Sequence, residues 1–216
     1  MPSRLVVGVD ESGKGDFFGP LVIAAFLASD SDCGQLEKAG VRDGKKISNN
    51  RVLDLDEYLR ANFVHQVVII DPEEYNARYK VIRNLNKLLA NGHAEAITGI
   101  LERQKVDLVI VDQFGKPELI ETAMGTSGFT VDIHQRFRGE QIIQVAAASI
   151  LARAAFIREI AQLSREYHLE IPKGAAAKVD QAGRELVRLY GIEVLPKVAK
   201  THFKNYGRVT APTLFS

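Results

Sequence analysis

Residues 6–20 read VVGVDESGKGDFFGP, an apolar run that passes directly into acids and glycines. The β-branched run predicts a strand that ends at Asp10 and Glu11, and open α/β sheets place their ligands at the C-terminal ends of strands. The Gly13–Gly15 segment allows positive φ and close approach of the backbone to a ligand, and its lysine is a cation suited to phosphate. Carboxylates repel phosphate unless a divalent cation lies between them, so a ligand at this stretch implies Mg²⁺ or Mn²⁺.

On these residues alone, a strand end followed by an ordinary glycine turn explains the stretch equally well. A resemblance favours the metal site, because residues 10–20 are similar to the first motif of the type 2 ribonucleases H. Lys14 and the DFFGP continuation resemble ribonuclease HIII, whereas ribonuclease HII usually carries Gly-Arg-Gly and a different continuation. The resemblance extends from Val6 to about Asn205 and includes the segments NLNKLL (84–89), VDQF (111–114), AAAS (146–149), IPKGAAAKVD (171–180) and VAKTHFKN (198–205).

Hydrophobic patterning predicts strands at residues 5–10, 21–27, 64–70, 107–112 and 130–135. The first two are joined by the glycine loop and predict an antiparallel hairpin. A 3.6-residue periodicity predicts a helix over residues 85–101, and small residues predict another from 145 towards 163 that approaches the sheet closely. Together with the resemblance, this implies an α/β ribonuclease H-like fold with a mixed central β-sheet flanked by helices, plus a helical C-terminal part.

The 216 residues are enough for one well-buried domain. We expect a catalytic domain over residues 1–165 and a helical extension over 166–216 packed on it. The single cysteine, Cys33, excludes an internal disulfide, and no apolar run is long enough to span a bilayer. We therefore expect a cytoplasmic monomer with no membrane partner. The net charge of +1 is uninformative about nucleic acid, which must be recognised by local clusters of Lys and Arg.

Two further acids belong to the predicted metal site. Asp112 ends another short apolar strand and so repeats the opening design. In the family an acid precedes the AAAS helix, and Glu140 is the only carboxylate between Asp132 and Glu159. Its spacing to Ser149 is one residue shorter than the family pattern. The resemblance implies that the catalytic residues and metal ligands are Asp10, Glu11, Asp112 and Glu140, without Asp132.

Glycines, polar side chains and lysines near these motifs are the predicted substrate contacts. The Gly13–Gly15 backbone is expected at the 2′-hydroxyls, by which a protein can select an RNA strand. On charge alone the lysines are ordinary solvated residues, but the resemblance makes phosphate contact a reasonable expectation. The predicted substrate-binding residues are Gly13, Lys14, Gly15, Lys45, Lys46, Asn84, Asn86, Ser149, Lys173 and Lys178.

Four other residues receive simpler interpretations. Lys200 lies in the basic C-terminal third and is a further candidate phosphate contact. Phe203 and Tyr206 could stack on nucleotides, although docking onto the main domain is commoner for such residues. His93 lies on the apolar stripe of the helix predicted at 85–101 and is interpreted as packing.

The resemblance implies metal-dependent endonucleolytic hydrolysis of the RNA strand of an RNA–DNA hybrid, with 5′-phosphate and 3′-hydroxyl ends. Two metals would serve, one lowering the pKa of the attacking water and one stabilising the leaving oxygen. Ribonuclease HIII normally carries an N-terminal domain that grips the hybrid. Because the first motif here begins at residue 10, we expect that domain to be absent.

Two alternatives stay open. One is ribonuclease HII-type incision at single ribonucleotides embedded in DNA, which the short length favours and Lys14 disfavours. The other is a non-catalytic hybrid-binding module, which the acids disfavour because a binder gains nothing from repelling phosphate. A small-molecule phosphate enzyme is disfavoured because the sequence lacks a Gly-x-x-x-x-Gly-Lys-Ser/Thr loop.

Overall fold

The computed structural model describes residues 3–42, 47–125 and 127–211. These residues form one five-stranded sheet in the spatial order β3-β2-β1-β4-β5. Its strands are β1 (Leu5–Ser12), β2 (Leu21–Ser29), β3 (His65–Ile70), β4 (Leu108–Asp112) and β5 (Ile133–Arg136). The helices are α1 (Cys33–Ala39), α2 (Asn49–Asn62), α3 (Pro72–Ile82), α4 (Leu85–Leu101), α5 (Pro117–Met124), α6 (Ile143–Glu166), α7 (Ala177–Tyr190), α8 (Leu195–Val198) and α9 (Lys204–Thr210). In the described ranges, no helix is both long and apolar enough to cross a membrane.

Strand directions divide the sheet into two parts. β1 pairs with β2, and β2 with β3, in antiparallel register, which confirms the predicted hairpin. β1 pairs with β4, and β4 with β5, in parallel register. The C-terminal ends of β1, β4 and β5 therefore lie at one edge of the sheet, which is where the predicted acids of β1 and β4 are found.

The two faces of the sheet are covered by different helices, and β2 shows this division most clearly because all of its residues are buried. Its even-numbered residues, such as Val22 and Phe26, pack with α2 and α6. Its odd-numbered residues, such as Ile23 and Ala25, pack with α4. This alternation follows from the two-residue period of a strand, and it predicts the face on which each side chain of β1 lies.

Gly8 allows the N-terminal end of α6 to approach β1 closely. A Cβ atom at Gly8 would lie 2.1 Å from the backbone carbon of Gln144 and 2.2 Å from the nitrogen of Val145. Three fully buried or nearly fully buried alanines, Ala146 to Ala148, continue this contact along the helix. Small residues on both sides thus hold the AAAS segment against the strand that carries Asp10 and Glu11.

Residues C-terminal to α6 pack into the apolar core on the face of the sheet that α6 covers. The buried side chains of Ile171, Val179, Leu186, Leu195 and Val198 belong to the same apolar cluster as Phe17 and Phe18. A polar cluster joins α7 to α9, because the Asp180 carboxylate accepts hydrogen bonds from Asn205 and Arg208, each with a shortest distance of 2.6 Å. The C-terminal helices are therefore anchored by apolar and polar contacts.

Two differences between the observed and the predicted elements concern α3 and β5. The helix α3 was not predicted, although Asp71 caps it through a 2.8 Å hydrogen bond from the Glu74 N–H and Pro72 occupies its first turn. Its apolar pattern is weak, since only Pro72 and Tyr75 are buried. In addition, β5 begins at Ile133 instead of residue 130, and Asp132 is exposed just before it.

Candidate active site

The end of β1 directs its two neighbouring carboxylates to opposite faces of the sheet. Gly8 and Asp10 lie on the face covered by α6, whereas Val9 and Glu11 lie on the face covered by α4. The partners of the two acids agree with this geometry, because Asp10 interacts with Ser149 of α6 and Glu11 with His93 of α4. Adjacent acids in the sequence therefore have different surroundings.

Asp10 is buried, with only 8% of its surface exposed. One of its oxygens accepts a 2.8 Å hydrogen bond from the Glu11 backbone N–H, and the Ser149 side chain donates another. Burial and the charge of Glu11 nevertheless raise the pKa of Asp10 to about 7, with a smaller contribution from the charge of Asp112. A cation beside Asp10 would relieve this repulsion.

Asp112 ends β4 on the same face of the sheet as Asp10, since Leu108 and Ile110 pack with Val6 and Val145 on that face. Its Oδ1 accepts a 2.9 Å hydrogen bond from the Gly139 backbone N–H. Gly139 itself lies so close that a Cβ atom there would be 3.0 Å from the Asp112 Cα. The turn after β5 thus fixes the Asp112 carboxylate through a backbone donor.

Glu11 has a partner for each carboxylate oxygen. Lys14 Nζ lies 2.6 Å from Oε1, and His93 Nε2 lies 3.1 Å from Oε2. Burial by itself would raise the pKa of Glu11, but the hydrogen bond with His93 and the ammonium of Lys14 outweigh it and lower the pKa to about 2. Glu11 is therefore ionised while Asp10 beside it resists ionisation.

Glu140 follows Gly139 in a short 3₁₀ turn, Gly139–Gln141, and is half-buried. It lines a cavity of about 670 Å³ together with Arg42, Arg138 and residues of α1 and α6. Arg138 adopts φ +54°, and its guanidinium lies 5.5 Å from the ring centre of the exposed Phe137. The fourth predicted acid thus lies next in sequence to the residue that fixes Asp112, beside a basic and aromatic turn.

The donor chemistry at this edge suits a hard divalent cation, although the four acids do not form one compact group. Among the described residues, no three or more His, Cys, Asp or Glu side chains lie close enough together to hold a metal ion. Mg²⁺ is commonly held by one or two carboxylates plus substrate phosphates, so the shared face of Asp10 and Asp112 is a suitable arrangement. Glu11 lies apart because its side chain is directed to the opposite face.

The glycine loop requires glycine at its first position. Gly13 has φ +86°, and a Cβ atom there would lie 2.3 Å from the Pro20 carbonyl oxygen. Gly15 is exposed, with open space where a Cβ atom would be. Lys14 between them has 42% of its side chain exposed while pairing with Glu11. The loop therefore presents backbone and one cation to solvent at the end of β1.

Residues from the C-terminal part hold this loop in place. The Phe17 N–H donates to the Gly174 carbonyl, and the Gly19 N–H donates to the Val198 carbonyl, both at 2.9 Å. Lys200 is fully buried, and its Nζ donates to the carbonyls of Asp16 at 2.9 Å and Gly19 at 2.6 Å. These contacts, which we call the C-terminal clasp, fix residues 16–19 from a distant part of the chain.

The clasp corrects the interpretation of Lys200 as a phosphate contact. Its side chain is fully buried, so it cannot reach a nucleic-acid backbone in this conformation. Burial lowers its pKa to about 7, although the Asp16 charge opposes this shift. Phe203 likewise packs, with its ring 6.2 Å from that of Phe17. A basic composition alone cannot distinguish a solvated lysine from one that binds carbonyls.

The remaining predicted substrate contacts lie mainly at the surface. Asn84 and Asn86 are exposed at the start of α4, where Asn84 accepts a 3.1 Å hydrogen bond from the Lys87 N–H. Lys173 and Lys178 are exposed, Lys173 in the loop that contacts residues 16 and 17 and Lys178 in the first turn of α7. Lys45 and Lys46 lie outside the described residues.

The residue that sequence reasoning missed is His93. It lies on the predicted apolar stripe of α4, where it is fully buried, but it contacts Glu11 and also the ring of Phe114 at a centroid distance of 4.6 Å. The available signal was a single imidazole in an otherwise apolar helical stripe, on the helix that covers the Glu11 face.

Comparison with known proteins finds relatives over most of the chain. The family model described as Ribonuclease HII matches residues 7–206. Ribonuclease HIII of Protochlamydia amoebophila is 40% identical over 198 residues, which cover 92% of this chain and 66% of that protein. Ribonuclease HIII of Chlamydia abortus is 41% identical over 210 residues, covering 96% of this chain and 70% of that protein. The chain thus spans about two thirds of the length of these relatives.

A solved structure shows the same fold. The crystal structure of Bst-RNase HIII in complex with Mn²⁺ superposes with a TM-score of 0.89 at 30% sequence identity, covering 96% of this chain and 69% of that one. The predicted fold class is therefore confirmed, as is the resemblance to ribonuclease HIII that the first motif indicated. The parallel strands, the glycine loop between β1 and β2, and the family match over residues 7–206 lead to one conclusion: the chain belongs to the ribonuclease HII family, the type 2 ribonucleases H, and within it is similar to the ribonucleases HIII.

Proposed function

We propose that this chain is a metal-dependent endonuclease that hydrolyses the RNA strand of RNA–DNA hybrids and leaves 5′-phosphate and 3′-hydroxyl ends. The observation that carries the proposal is the placement of Asp10 and Asp112 on one face, at the ends of adjacent parallel strands beside the glycine loop. Their mutual repulsion, which helps to raise the pKa of Asp10, favours a divalent cation between them and a phosphate.

Asp10 and Asp112 would hold Mg²⁺ or Mn²⁺, with Glu11 and Glu140 as the further predicted ligands. A divalent cation supplies Lewis-acid activation of water and charge stabilisation at the leaving oxygen. The Ser149 hydroxyl and the Gly139 N–H orient the carboxylates of Asp10 and Asp112. Water attacks phosphorus, and the bond to the 3′-oxygen breaks, which gives the proposed ends without a covalent enzyme intermediate.

Strand selection is assigned to the glycine loop. The backbone of Gly13–Gly15 would contact 2′-hydroxyls, which only the RNA strand carries. Lys14 balances the Glu11 charge and is sufficiently exposed to meet a phosphate. Lys173 and Lys178 would add phosphate contacts that fix the position of the hybrid without reading its sequence.

A second candidate function is incision at a single ribonucleotide embedded in DNA, because the family model that matches the chain is the one for ribonuclease HII. Lys14 disfavours this candidate, since ribonuclease HII usually carries arginine there and the two cations bind phosphate differently. A non-catalytic hybrid-binding module is the third candidate, and the predicted acids disfavour it because a binder gains nothing from repelling phosphate. A monomer in the cytoplasm remains our expectation for the functional state.

The test is cleavage of two labelled substrates side by side, with Mg²⁺ or Mn²⁺. One is a long RNA–DNA hybrid, and the other is a DNA duplex that contains one ribonucleotide. We expect faster cleavage of the long hybrid and loss of activity with a chelator. We also expect a ligase to rejoin the products, which requires 5′-phosphate and 3′-hydroxyl ends. Equal rates on both substrates would favour the ribonuclease HII candidate, and binding without cleavage would favour the binding module.

A further inference from the structure

His93 connects the two strand ends that carry the predicted acids. From α4 its Nε2 lies 3.1 Å from Glu11 Oε2 at the end of β1, and its ring packs on Phe114, two residues after Asp112. The side chain is fully buried, so no solvent competes for the imidazole. His93 thus contacts one residue at the end of β1 and one residue just after the end of β4.

Packing alone does not account for a histidine at this position. His93 Nδ1 is buried and has no hydrogen-bond partner in the described ranges. A buried polar atom without a partner destabilises a fold by about 1–3 kcal/mol, which an apolar side chain of similar size would avoid. The only polar contact of the ring in these ranges is the one to Glu11, so that contact is what an imidazole offers over leucine.

The arrangement also fixes the tautomer of the ring. A proton on Nδ1 would be buried without an acceptor, so the proton lies on Nε2 and is donated to Glu11 Oε2. The other oxygen, Oε1, pairs with the ammonium of Lys14, which is 42% exposed. Glu11 therefore has one rigid, buried donor and one partner that solvent or substrate can displace.

We propose that His93 is a positioning residue for the proposed nuclease site: its Nε2–H holds the Glu11 carboxylate in one orientation, so that Oε1 can exchange Lys14 for a divalent cation or for substrate. The inference rests on the proposed function for its catalytic consequence. The role assigned to His93 depends only on the hydrogen bond that it donates to Glu11. Another side chain that donates a hydrogen bond from the same place should therefore substitute for the imidazole. Loss of a donor that hydrogen-bonds to a metal ligand commonly lowers metal affinity or activity by about 10- to 100-fold.

The test compares two substitutions of His93. His93→Gln keeps an N–H donor on a side chain of similar reach, whereas His93→Leu keeps apolar volume and removes the donor. We expect His93→Leu to weaken Mn²⁺ binding, measured by calorimetry, by about 10-fold and to lower kcat for hybrid cleavage with little change in KM. His93→Gln should restore most of both. If the leucine variant does not fold by circular dichroism, His93→Met takes its place.

A double-mutant cycle with Glu11→Gln separates this role from a structural one. In the Glu11→Gln background, His93→Leu should cause no further loss of Mn²⁺ affinity, because the group that it orients is gone. An equal loss in both backgrounds, or wild-type Mn²⁺ affinity in His93→Leu, would overturn the inference. If the wild-type protein binds Mn²⁺ but cleaves no hybrid, the proposed function fails while the binding comparison still decides the role of His93.

Discussion

The Asp16 carboxylate accepts a 2.6 Å hydrogen bond from the Gly174 backbone N–H across 158 residues of sequence. It joins the glycine loop to the loop that carries Lys173. Asp16→Ala should lower the free energy of unfolding by about 1.5–3 kcal/mol, because a bond to a charged acceptor is lost. It should also weaken hybrid binding, because the loop of Lys173 loses one of its two hydrogen bonds to residues 16 and 17. Urea unfolding and fluorescence anisotropy with a labelled hybrid measure the two effects. Asp132→Ala, at an exposed position, is the matched control, and an Asp16 variant that behaves like it would contradict the prediction.

Neutralising the acids of β1 and β4 should abolish most turnover. Asp10→Asn and Asp112→Asn each remove a proposed ligand charge, and we expect kcat for hybrid cleavage to fall at least about 100-fold. Circular dichroism checks that the fold is intact. Asp132→Asn should leave the rate unchanged, and Glu140→Gln decides whether the acid of the 3₁₀ turn belongs to the site. A near wild-type rate in the variant of any one acid would exclude that acid from the set of metal ligands.

The buried lysine of the C-terminal clasp should make stability depend on pH. The folded-state pKa of Lys200, about 7, lies below its ordinary value of 10.5. Between these values the unfolded chain binds more protons, so this lysine raises the free energy of unfolding as pH increases, by at most about 1.4 kcal/mol per pH unit. Its contribution is least favourable below pH 7, where the folded state must bury the charge.

Lys200→Met provides the comparison. It should destabilise the protein by about 2–3 kcal/mol near pH 9, because the Asp16 and Gly19 carbonyls lose their donor. The difference in unfolding free energy between wild type and variant should grow from pH 7 to pH 9 in favour of the wild type. Parallel pH profiles from chemical denaturation would show that Lys200 does not titrate in this range.

Hybrid affinity should fall steeply with salt. About four phosphate contacts predict a loss of roughly two decades in affinity between about 50 and 200 mM salt, because each contact displaces condensed counterions. Lys173→Ala and Lys178→Ala should each reduce the slope of log affinity against log salt by about one. Lys105→Ala is the control, since this exposed lysine precedes β4 at the opposite edge of the sheet. A binding constant that does not vary with salt would contradict the proposed phosphate contacts.

Sugar chemistry at the cut should affect turnover more than binding. If the glycine loop contacts 2′-hydroxyls, a hybrid with a 2′-O-methyl group at the scissile position should bind with similar affinity but resist cleavage. The phosphate contacts survive, while the scissile phosphate is misplaced. The same modification several nucleotides away serves as the control. If both modified hybrids are cleaved at the rate of the unmodified hybrid, the glycine loop does not select the RNA strand.

The sequence allowed the sheet to be predicted well because its determinants are local. The β-branched run before Asp10, the glycine loop and the apolar run before Asp112 each place a strand end without reference to distant residues. The helix predicted at residues 85–101 has the same bounds in the structure, since its apolar stripe is regular. The unpredicted helix α3 lacks such a stripe, and the capping residue Asp71 was the main sequence signal for its start.

The roles of single side chains were harder to predict because their partners are distant. His93 and Glu11 are 82 residues apart, and Lys200 and Gly19 are 181 residues apart. Periodicity identifies the face of a helix on which a residue lies but not the carboxylate opposite it. The strand pleat explains why Asp10 and Glu11 diverge, which is visible only once the helices over each face are known.

The C-terminal clasp also determines when residues 16–19 can be fixed during protein synthesis. A nascent chain that has emerged only to residue 173 already carries all four predicted acids, including the three that lie near the ends of β1 and β4. It lacks the carbonyl of Gly174 that receives the Phe17 N–H, and it lacks Lys200. The contacts of the clasp can therefore form only after residue 200 has left the ribosome, so that a product terminated before that residue carries the acids without the hydrogen bonds from Lys200 that fix residues 16–19.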